Sequence, residues 1–238
     1  MTNGVIGFET RDLFEQANAI ANQYHFLVDN QVYPRLNVTA EKLELLAEDF
    51  RPLFVDFNSL VVQKRRDAGK KQGLVRACKP VNGMRIIDAT AGWGRDAAIL
   101  AGFGADVLML ERQPVMAALL ADGLSRLTSD STLHLSLVHA DAHLYLQSLA
   151  DRDYPDVIYI DPMHPERQKS ALVKKDMQVL QRMIGADDDV CALIQLAIIR
   201  AHHRVVVKWP QRLPALLRPD SCIDGKTVRF DIYVSKNR

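Results

Sequence analysis

The segment from Arg85 to Ala101 constrains the fold most, because three local patterns follow one another in it. Arg85-Ile-Ile-Asp88 has the β-branched apolar residues of a buried strand. Gly92 and Gly94 come next, and glycine permits backbone conformations that are closed to other residues. From Asp96 onward the composition is helical. This order predicts a nucleotide-type binding site at the first strand-to-helix turn of an α/β sheet.

Beyond this turn, strand and helix patterns alternate to the end of the chain. Such alternation is typical of a doubly wound, Rossmann-like parallel sheet, so the predicted fold class is α/β. The predicted strands lie near 85–88, 106–110, 134–138, 157–160 and 204–208, the helices near 95–102, 114–127, 142–150, 171–184 and 189–201, and a final strand pair near 223–234.

The amino-terminal 60 residues lack this alternation and predict a small α+β unit. The patterns indicate short strands at 5–8, 26–28, 36–38 and 53–57, and helices at 11–24 and 40–50. Thr39 has the character of an N-cap for the second helix. The predicted organisation is therefore a small unit at 1–60, a basic connecting segment at 61–80 and a Rossmann-like domain at 81–238.

Composition excludes several classes of protein. The chain has 48% hydrophobic and 25% charged residues, which is ordinary for a globular protein, and it has no long apolar run and no leader pattern at its start. We therefore expect a cytoplasmic protein with no membrane partner. Its cysteines form no C-x-x-C pair, so they predict reduced, buried thiols, with neither a disulfide framework nor a metal site; they are Cys78, Cys191 and Cys222.

The glycine turn does not by itself identify its ligand. Ala97 stands where a dinucleotide-binding loop has its third glycine, and no Lys-Ser/Thr pair follows as in a phosphate-binding loop. A dinucleotide remains an alternative, but it is not favoured. Glu111 ends the second strand, where a carboxylate is placed to accept hydrogen bonds from a ribose diol, although a solvated glutamate is an equally good interpretation.

Acids outnumber bases around this predicted crevice. Asp88 and Glu111 end the first two strands, and the bases near them are Arg95 and Arg112. This balance suits a ligand that carries positive charge better than a pyrophosphate. S-adenosylmethionine is such a ligand, with Arg95 and the helix N-H groups available for its carboxylate. Asp141 ends the third strand and is predicted either to bind the adenine amino group or to cap the next helix, two compatible roles.

The fourth strand runs into Asp161-Pro-Met-His-Pro165, which is similar to the Asn/Asp-Pro-Pro-aromatic motif of methyltransferases that modify exocyclic amines of bases. An aryl amine is a poor nucleophile because its lone pair is delocalised into the ring. The Asp161 side chain and the Pro162 carbonyl would bind its N-H groups and turn the lone pair toward the methyl group. The alternative is a proline-rich loop in which Asp161 caps a turn.

Together these motifs resemble the ribosomal RNA small subunit methyltransferase J family. The resemblance covers roughly residues 53–234 and rests on Asp88-Ala-Thr-Ala-Gly-Trp-Gly-Arg-Asp96, Met109-Leu-Glu-Arg112, Asp161-Pro-Met-His-Pro165, Gln168-Lys-Ser-Ala-Leu-Val-Lys-Lys175, Arg204-Val-Val-Val-Lys208 and Arg229-Phe-Asp-Ile-Tyr233. It implies a class I methyltransferase that moves a methyl group from S-adenosylmethionine to the N2 amine of a guanine in 16S rRNA.

The resemblance also implies residue roles. The donor site would include Arg95, Asp96, Glu111, Arg112, Asp141, Ala142 and Asp161, in addition to Gly92 and Gly94. Two departures from the family pattern stand out. Asp141 and Ala142 replace two small hydroxyl residues, and His164 replaces a phenylalanine expected to stack on the target base. His164 is therefore predicted to be a stacking residue of smaller area whose charge depends on pH.

The predicted RNA contacts come from basic residues outside the crevice. Residues 62–79 contain seven basic residues and one acid, although the whole chain has a net charge of only +1. Arg65, Arg66 and Lys169 are predicted to contact phosphates of 16S rRNA, with a solvated charged face as the alternative. Two other functions stay open at this point: methylation of another amine, and a catalytically silent RNA-binding protein that keeps the fold.

Overall fold

The computed structural model describes residues 4–48, 51–59, 69–162 and 189–237, which form two compact units. The described part of the first unit comprises 4–48, 51–56 and 113–127, and that of the second comprises 57–59, 69–112, 128–162 and 189–237. The first unit thus includes a segment from the middle of the chain. The predicted domain boundaries near residues 60 and 80 assumed continuous stretches, and they stay a prediction.

The first unit is built on a four-stranded sheet with the strand order β2-β1-β3-β4. β1 is parallel to both β2 and β3, whereas β3 and β4 are antiparallel. Residues 17, 21 and 24 of α1 are buried, as expected for one apolar face of a helix. The elements are β1 (Val5–Phe8), a 3-10 helix (Arg11–Leu13), α1 (Phe14–Tyr24), β2 (Leu27–Val28), β3 (Arg35–Val38) and β4 (Leu43–Leu46).

The predicted helix at 40–50 is wrong, because β4 occupies its centre. Thr39 makes a turn instead of a helix cap: its hydroxyl accepts from the Lys42 backbone N-H at 3.1 Å and donates to the Lys42 carbonyl at 2.9 Å. Pairing with β3 then buries Leu43 and Leu45 on one face, so tertiary pairing overrides helix propensity. The strand predicted at 53–57 is also wrong, since that stretch contributes only an isolated bridge from Leu53 to Leu45.

The second unit contains a seven-stranded sheet with the order β10-β11-β9-β8-β5-β6-β7. β5 to β9 are parallel, while β11 runs antiparallel to both of its neighbours. This confirms the predicted doubly wound α/β sheet. The strands are β5 (Arg85–Asp88), β6 (Asp106–Glu111), β7 (Leu135–His139), β8 (Val157–Ile160), β9 (Arg204–Pro210), β10 (Ser221–Asp224) and β11 (Val228–Val234).

Helices lie on both faces of this sheet. On one face α5 and α6 pack against Ile87, Ile158 and Val205 in a continuous apolar core. On the other face α2 and α3 cover residues that include Met109 and Phe230. The remaining helices of the described ranges are α2 (Gly73–Cys78), α3 (Arg95–Ala101), α4 (Pro114–Ser125, in the first unit), α5 (Ala142–Ser148) and α6 (Val190–Ile198), with 3-10 helices at Gly69–Lys71 and Asp151–Asp153.

Several sequence expectations can be checked against these elements. The predicted helices near 95–102, 114–127, 142–150 and 189–201 are confirmed, and the one near 171–184 lies outside the described residues. All three cysteines are free, but Cys191 and Cys222 are exposed, so the expectation of buried thiols is correct only for Cys78. No helix in the described ranges has both the length and the apolar character needed to cross a bilayer.

The order of the strands identifies where a ligand can bind. β5 has β6 on one side and β8 on the other: the chain runs outward from β5 through β6 to β7 and then crosses back to form β8, so the strand order reverses at β5. Parallel sheets of this kind bind ligands in the crevice beyond the carboxyl ends of such strands. Asp88 ends β5, and Asp161 directly follows β8.

Candidate active site

The glycine turn between β5 and α3 has the left-handed backbone conformations that the two glycines permit. Gly92 has φ +51° and Gly94 has φ +67°, values that favour glycine over residues with a side chain. Gly94 is the N-cap of α3, and its N-H donates to the Ala91 carbonyl at 2.8 Å. A Cβ built on Gly92 would meet nothing nearer than the Thr90 carbonyl at 3.9 Å. The turn is therefore tightly folded, with open space beside Gly92.

Glu111 is joined directly to this turn. It ends β6, is 7% exposed, and its carboxylate accepts from the Gly92 N-H at 2.9 Å. The structure thus brings together two predicted donor-site residues that are nineteen positions apart in the chain. This contact supports the shape of the turn, while the ribose contact of Glu111 stays a prediction.

Arg112 and Asp141 form a second polar group at the ends of β6 and β7. The Arg112 Nη1 lies 4.0 Å from Asp141 Oδ2, and the His139 ring nitrogen Nε2 lies 3.3 Å from the Arg112 carbonyl oxygen. Asp141 is the N-cap of α5 and accepts from the Leu144 N-H at 3.1 Å, which confirms its capping role. Ala142 follows and is buried. Contacts of this group with an adenine stay a prediction.

The first turn of α3 carries Arg95 and Asp96. The guanidinium carbon of Arg95 lies 5.8 Å from the centre of the Trp93 ring. Asp96 turns toward the sheet, and its Oδ2 accepts from the Tyr159 hydroxyl at 2.7 Å and from Lys208 Nζ at 2.9 Å. An acid in the first turn also suits the helix dipole, as the sequence suggested.

The predicted amine-binding motif begins at the carboxyl end of β8. The Asp161 N-H donates to the Thr90 hydroxyl at 2.6 Å, which ties this motif to the glycine turn. The Asp161 Oδ2 lies 2.6 Å from Lys208 Nζ. Pro162 is buried beside it. The remaining predicted residues of the acceptor side and the RNA contacts lie outside the described residues; they are His164, Arg65, Arg66 and Lys169.

Asp88 differs from the other acids because it is almost completely buried. It is 1% exposed, and burial together with the nearby carboxylates of Asp96 and Asp161 raises its pKa to about 8, although the Thr90 N-H favours the charged form. Asp88 is therefore mainly protonated at neutral pH. The crevice carries less negative charge than a count of its acids predicts.

Lys208 and Tyr159 belong to the site but were not identified as site residues from the sequence. Burial lowers the pKa of Lys208, but the carboxylates of Asp161 and Asp96 outweigh this and raise the pKa above its ordinary value. Burial, and then Asp96, raise the pKa of Tyr159 well above its usual range, so the hydroxyl remains a donor. The sequence offered one indication: Lys208 directly follows the apolar residues Val205–Val207 of β9, in a motif that the sequence analysis used only for the family resemblance.

Comparison with known proteins identifies the family. A family model described as "Putative SAM-dependent methyltransferase" matches residues 19–235. The chain is 58% identical over 231 residues to the ribosomal RNA small subunit methyltransferase J of Legionella pneumophila (strain Corby), covering 96% of this chain and 95% of that one. The chain belongs to the ribosomal RNA small subunit methyltransferase J family. This confirms the resemblance inferred from its motifs.

Other members of the methyltransferase J family extend the match. The protein of that name from Coxiella burnetii (strain Dugway 5J108-111) is 49% identical over 195 residues, covering 78% of this chain and 76% of the relative. A solved SAM-dependent methyltransferase from Neisseria gonorrhoeae superposes with a TM-score of 0.73 at 24% identity, covering 98% of this chain and 97% of that one, which shows a common fold. The chain is a methyltransferase that uses S-adenosylmethionine.

The residues of the crevice fit this methyl donor. The open space beside Gly92 leaves room for a ligand against the turn, and the carboxylates around it suit a cationic molecule. Arg95, in the first turn of α3, carries a guanidinium group that suits the donor's carboxylate. Among the described residues, no group of three or more His, Cys, Asp or Glu side chains is arranged to hold a metal ion.

Proposed function

We propose that this enzyme transfers a methyl group from S-adenosylmethionine to the exocyclic N2 amine of a guanine in 16S rRNA. The observation that carries the proposal is the position of Asp161-Pro162: Asp161 is bonded to Thr90 in the glycine turn and, through Lys208, to Asp96 at the start of α3. An amine-binding motif therefore stands beside the donor loop. The name of the Legionella pneumophila relative supports small-subunit rRNA as the substrate.

The donor half of the site is formed by the turn and the strand ends around it. S-adenosylmethionine supplies an electrophilic methyl group on its sulfonium. Glu111 binds the ribose, the Arg112–Asp141 group faces the adenine, and Arg95 with the helix N-H groups binds the carboxylate. The residues proposed to hold the donor are Gly92, Gly94, Arg95, Asp96, Glu111, Arg112, Asp141, Ala142 and Asp161.

The acceptor half orients the amine. The carboxylate of Asp161 and the carbonyl of Pro162 accept the two N-H groups of the guanine amine, which turns the nitrogen lone pair out of conjugation. The new bond from the amine nitrogen to the methyl carbon would replace the carbon–sulfur bond of the sulfonium, so the rest of the donor would leave as a neutral thioether. The methylated nitrogen is positively charged, so one of its protons becomes acidic and would pass to the Asp161 carboxylate or to water. Asp161 therefore needs to be an ionised, well-oriented acceptor, and little base strength is required. His164 stacks on the base in this proposal.

RNA binding is proposed for the basic residues that flank the crevice in the sequence. Arg65 and Arg66 would contact phosphates on one side, and Lys169 those on the other. Changing both arginines to glutamate should weaken RNA binding and reduce its salt dependence, with S-adenosylmethionine affinity unchanged. Filter binding across a salt series measures the first effect and calorimetry the second. An unchanged RNA affinity would mean that these arginines only form a solvated surface.

The function is tested by methyl transfer and by mapping the product. Purified enzyme and labelled S-adenosylmethionine are incubated with 30S subunits or with 16S rRNA that lacks the modification, and the rRNA is digested and analysed by mass spectrometry. We expect one N2-methylguanosine, and we expect it to be missing from rRNA of cells without the protein. A methyl group on adenine or on a protein would overturn the guanine assignment. Donor binding without transfer to any of these acceptors would contradict the proposal as a whole. A small-subunit rRNA substrate also implies that the enzyme acts in the cytoplasm.

A further inference from the structure

The Lys208 site links the two halves of the proposed active site through one ammonium group. We define it as Lys208, Asp96, Asp161 and Tyr159. Lys208 Nζ lies 2.6 Å from Asp161 Oδ2 and 2.9 Å from Asp96 Oδ2. Asp96 opens the donor-side helix α3, and Asp161 opens the acceptor motif. Carboxylates from both motifs thus lie within hydrogen-bond distance of the same nitrogen.

The register of the sheet places this ammonium group. Val207 of β9 pairs with Ile160 of β8, and Val206 pairs with Tyr159, so Lys208 extends from the same face of the sheet as Tyr159. Asp88 pairs with Tyr159 and also lies on that face. The Lys208 side chain is 19% exposed, compared with 12% for Asp96 and 22% for Asp161. A cation with so little solvent around it interacts strongly with its partners.

The charges around Asp161 explain why a cation is needed there. The carboxylates of Asp96 on α3, Asp161 and Glu111 on β6 all raise the pKa of the buried Asp88 on β5, so negative charge is concentrated in this part of the molecule. Tyr159 on β8 and Cys78 on α2 are buried groups that remain neutral. Neighbouring carboxylates without a counter-charge favour protonation of one of them. A protonated Asp161 would carry an O-H donor and would accept fewer hydrogen bonds from an amine.

We propose that Lys208 is a positioning residue for methyl transfer, whose ammonium group keeps Asp161 ionised and aligned with the donor-side Asp96. This inference rests on the proposed function of Asp161 as the amine acceptor. Lys208 would affect the transfer step indirectly, through the charge and position of Asp161. The effect is electrostatic as well as geometric, so a replacement cation should preserve it better than a neutral side chain.

Removal of this charge is tested with Lys208→Met, with Lys208→Arg as the conservative variant. The exposed Lys236 supplies a matched control as Lys236→Met. We expect kcat of Lys208→Met to fall about 100-fold at pH 7, because Asp161 loses a charged hydrogen-bond partner in a site with little solvent. In a plot of kcat against pH, the acid limb of this variant should shift to higher pH by about one unit or more, because the pKa of Asp161 rises when its cation is removed. Lys208→Arg should recover at least a tenth of the activity, and Lys236→Met should match the wild type.

A measurement without turnover separates this inference from the proposed function. Carboxylate resonances of 13C-labelled aspartate, with Asp161→Asn for assignment, report the titration of Asp161 in wild type and in Lys208→Met. An upward shift of its midpoint supports the inference even if rRNA proves not to be the substrate. An unchanged midpoint, or an unchanged acid limb of kcat, would overturn it. If Lys208→Met does not fold, Lys208→Gln removes the same charge while retaining hydrogen-bond donors, and the same two readouts apply.

Discussion

Lys208 and Arg229 lie on neighbouring strands of the seven-stranded sheet, but they bind different kinds of partner. Lys208 on β9 joins Asp96 and Asp161, which lie 112 and 47 residues away in the chain. Arg229 on β11 pairs with Asp231 of the same strand, at 2.7 Å between Nε and Oδ1, and donates from Nη1 to the carbonyls of Pro210, Gln211 and Leu213. We call this second group the Arg229 clamp.

The two regions differ in the partners of their side-chain nitrogen atoms. Arg229 donates to backbone carbonyls at the end of β9 and in the loop that follows it, and Asp231 is only 2% exposed, so the clamp stabilises local structure. Lys208 holds two side chains from separate motifs at the carboxyl ends of the strands. A buried ion pair is therefore not evidence of an active site by itself. Its partners decide whether its loss affects folding or chemistry.

The sharpest test of this contrast removes Asp161, and we expect it to have the largest effect. Asp161→Ala should lower kcat at least about 1,000-fold, roughly 4 kcal/mol in the barrier, because the amine loses its orienting acceptor. Single-turnover methyl transfer measures the loss, and circular dichroism should show a folded protein. Turnover near that of the wild type would remove Asp161 from the acceptor role.

Removal of the Arg229 clamp should produce the reverse pattern. Arg229→Met leaves Asp231 buried without its cation and should reduce the free energy of unfolding by about 3 kcal/mol. Urea unfolding measures this loss, with the exposed Arg212→Met as the matched control. Folded Arg229→Met protein should keep its methyl transfer rate within about threefold, since the clamp holds no group of the site. A large loss of rate with unchanged stability would contradict the division between the two regions.

Asp88 provides a pH-dependent test on the Lys208 face of the sheet. Its folded pKa of about 8 lies far above the ordinary value of 3.8, so the native protein holds a proton that the unfolded chain releases. Stability is therefore lost as pH rises through the folded pKa, by about 3 kcal/mol between pH 6 and 9. Asp88→Asn should lose less stability over this range in urea unfolding. Equal slopes for both proteins would show that Asp88 is already ionised at pH 6.

The smallest expected effect concerns the Tyr159 hydroxyl. Tyr159→Phe removes the hydroxyl that donates to Asp96 Oδ2, while Lys208 keeps its own contact with that oxygen. We expect methyl transfer to fall about tenfold, or roughly 1.4 kcal/mol, as for a hydrogen bond to a charged group. Steady-state kinetics compare this variant with Tyr145→Phe, which lies on the opposite face of the sheet. Equal rates for the two variants would show that the Tyr159 hydroxyl does not contribute to methyl transfer.

Local sequence pattern was sufficient to predict much of this structure. Buried strands such as Val157–Ile160 and the glycine turn at Gly92 and Gly94 are recognisable because apolar runs and glycine act within a few residues. The capping role of Asp141 is local in the same sense. Local pattern failed at 43–46, where helix formers pair with β3, because a partner strand outside the segment supplies the hydrogen bonds and the apolar contacts.

The sequence by itself determined the α/β class, the donor turn and the Asp161-Pro162 motif, since each depends on residues adjacent in the chain. Only the tertiary structure decided which charges meet. It placed Lys208 between Asp96 and Asp161, bonded Glu111 to Gly92, and buried Asp88 so deeply that its pKa rises to about 8. The physical reason is that Coulomb energies and desolvation depend on distance and exposure in the folded protein, and strand order and register set both.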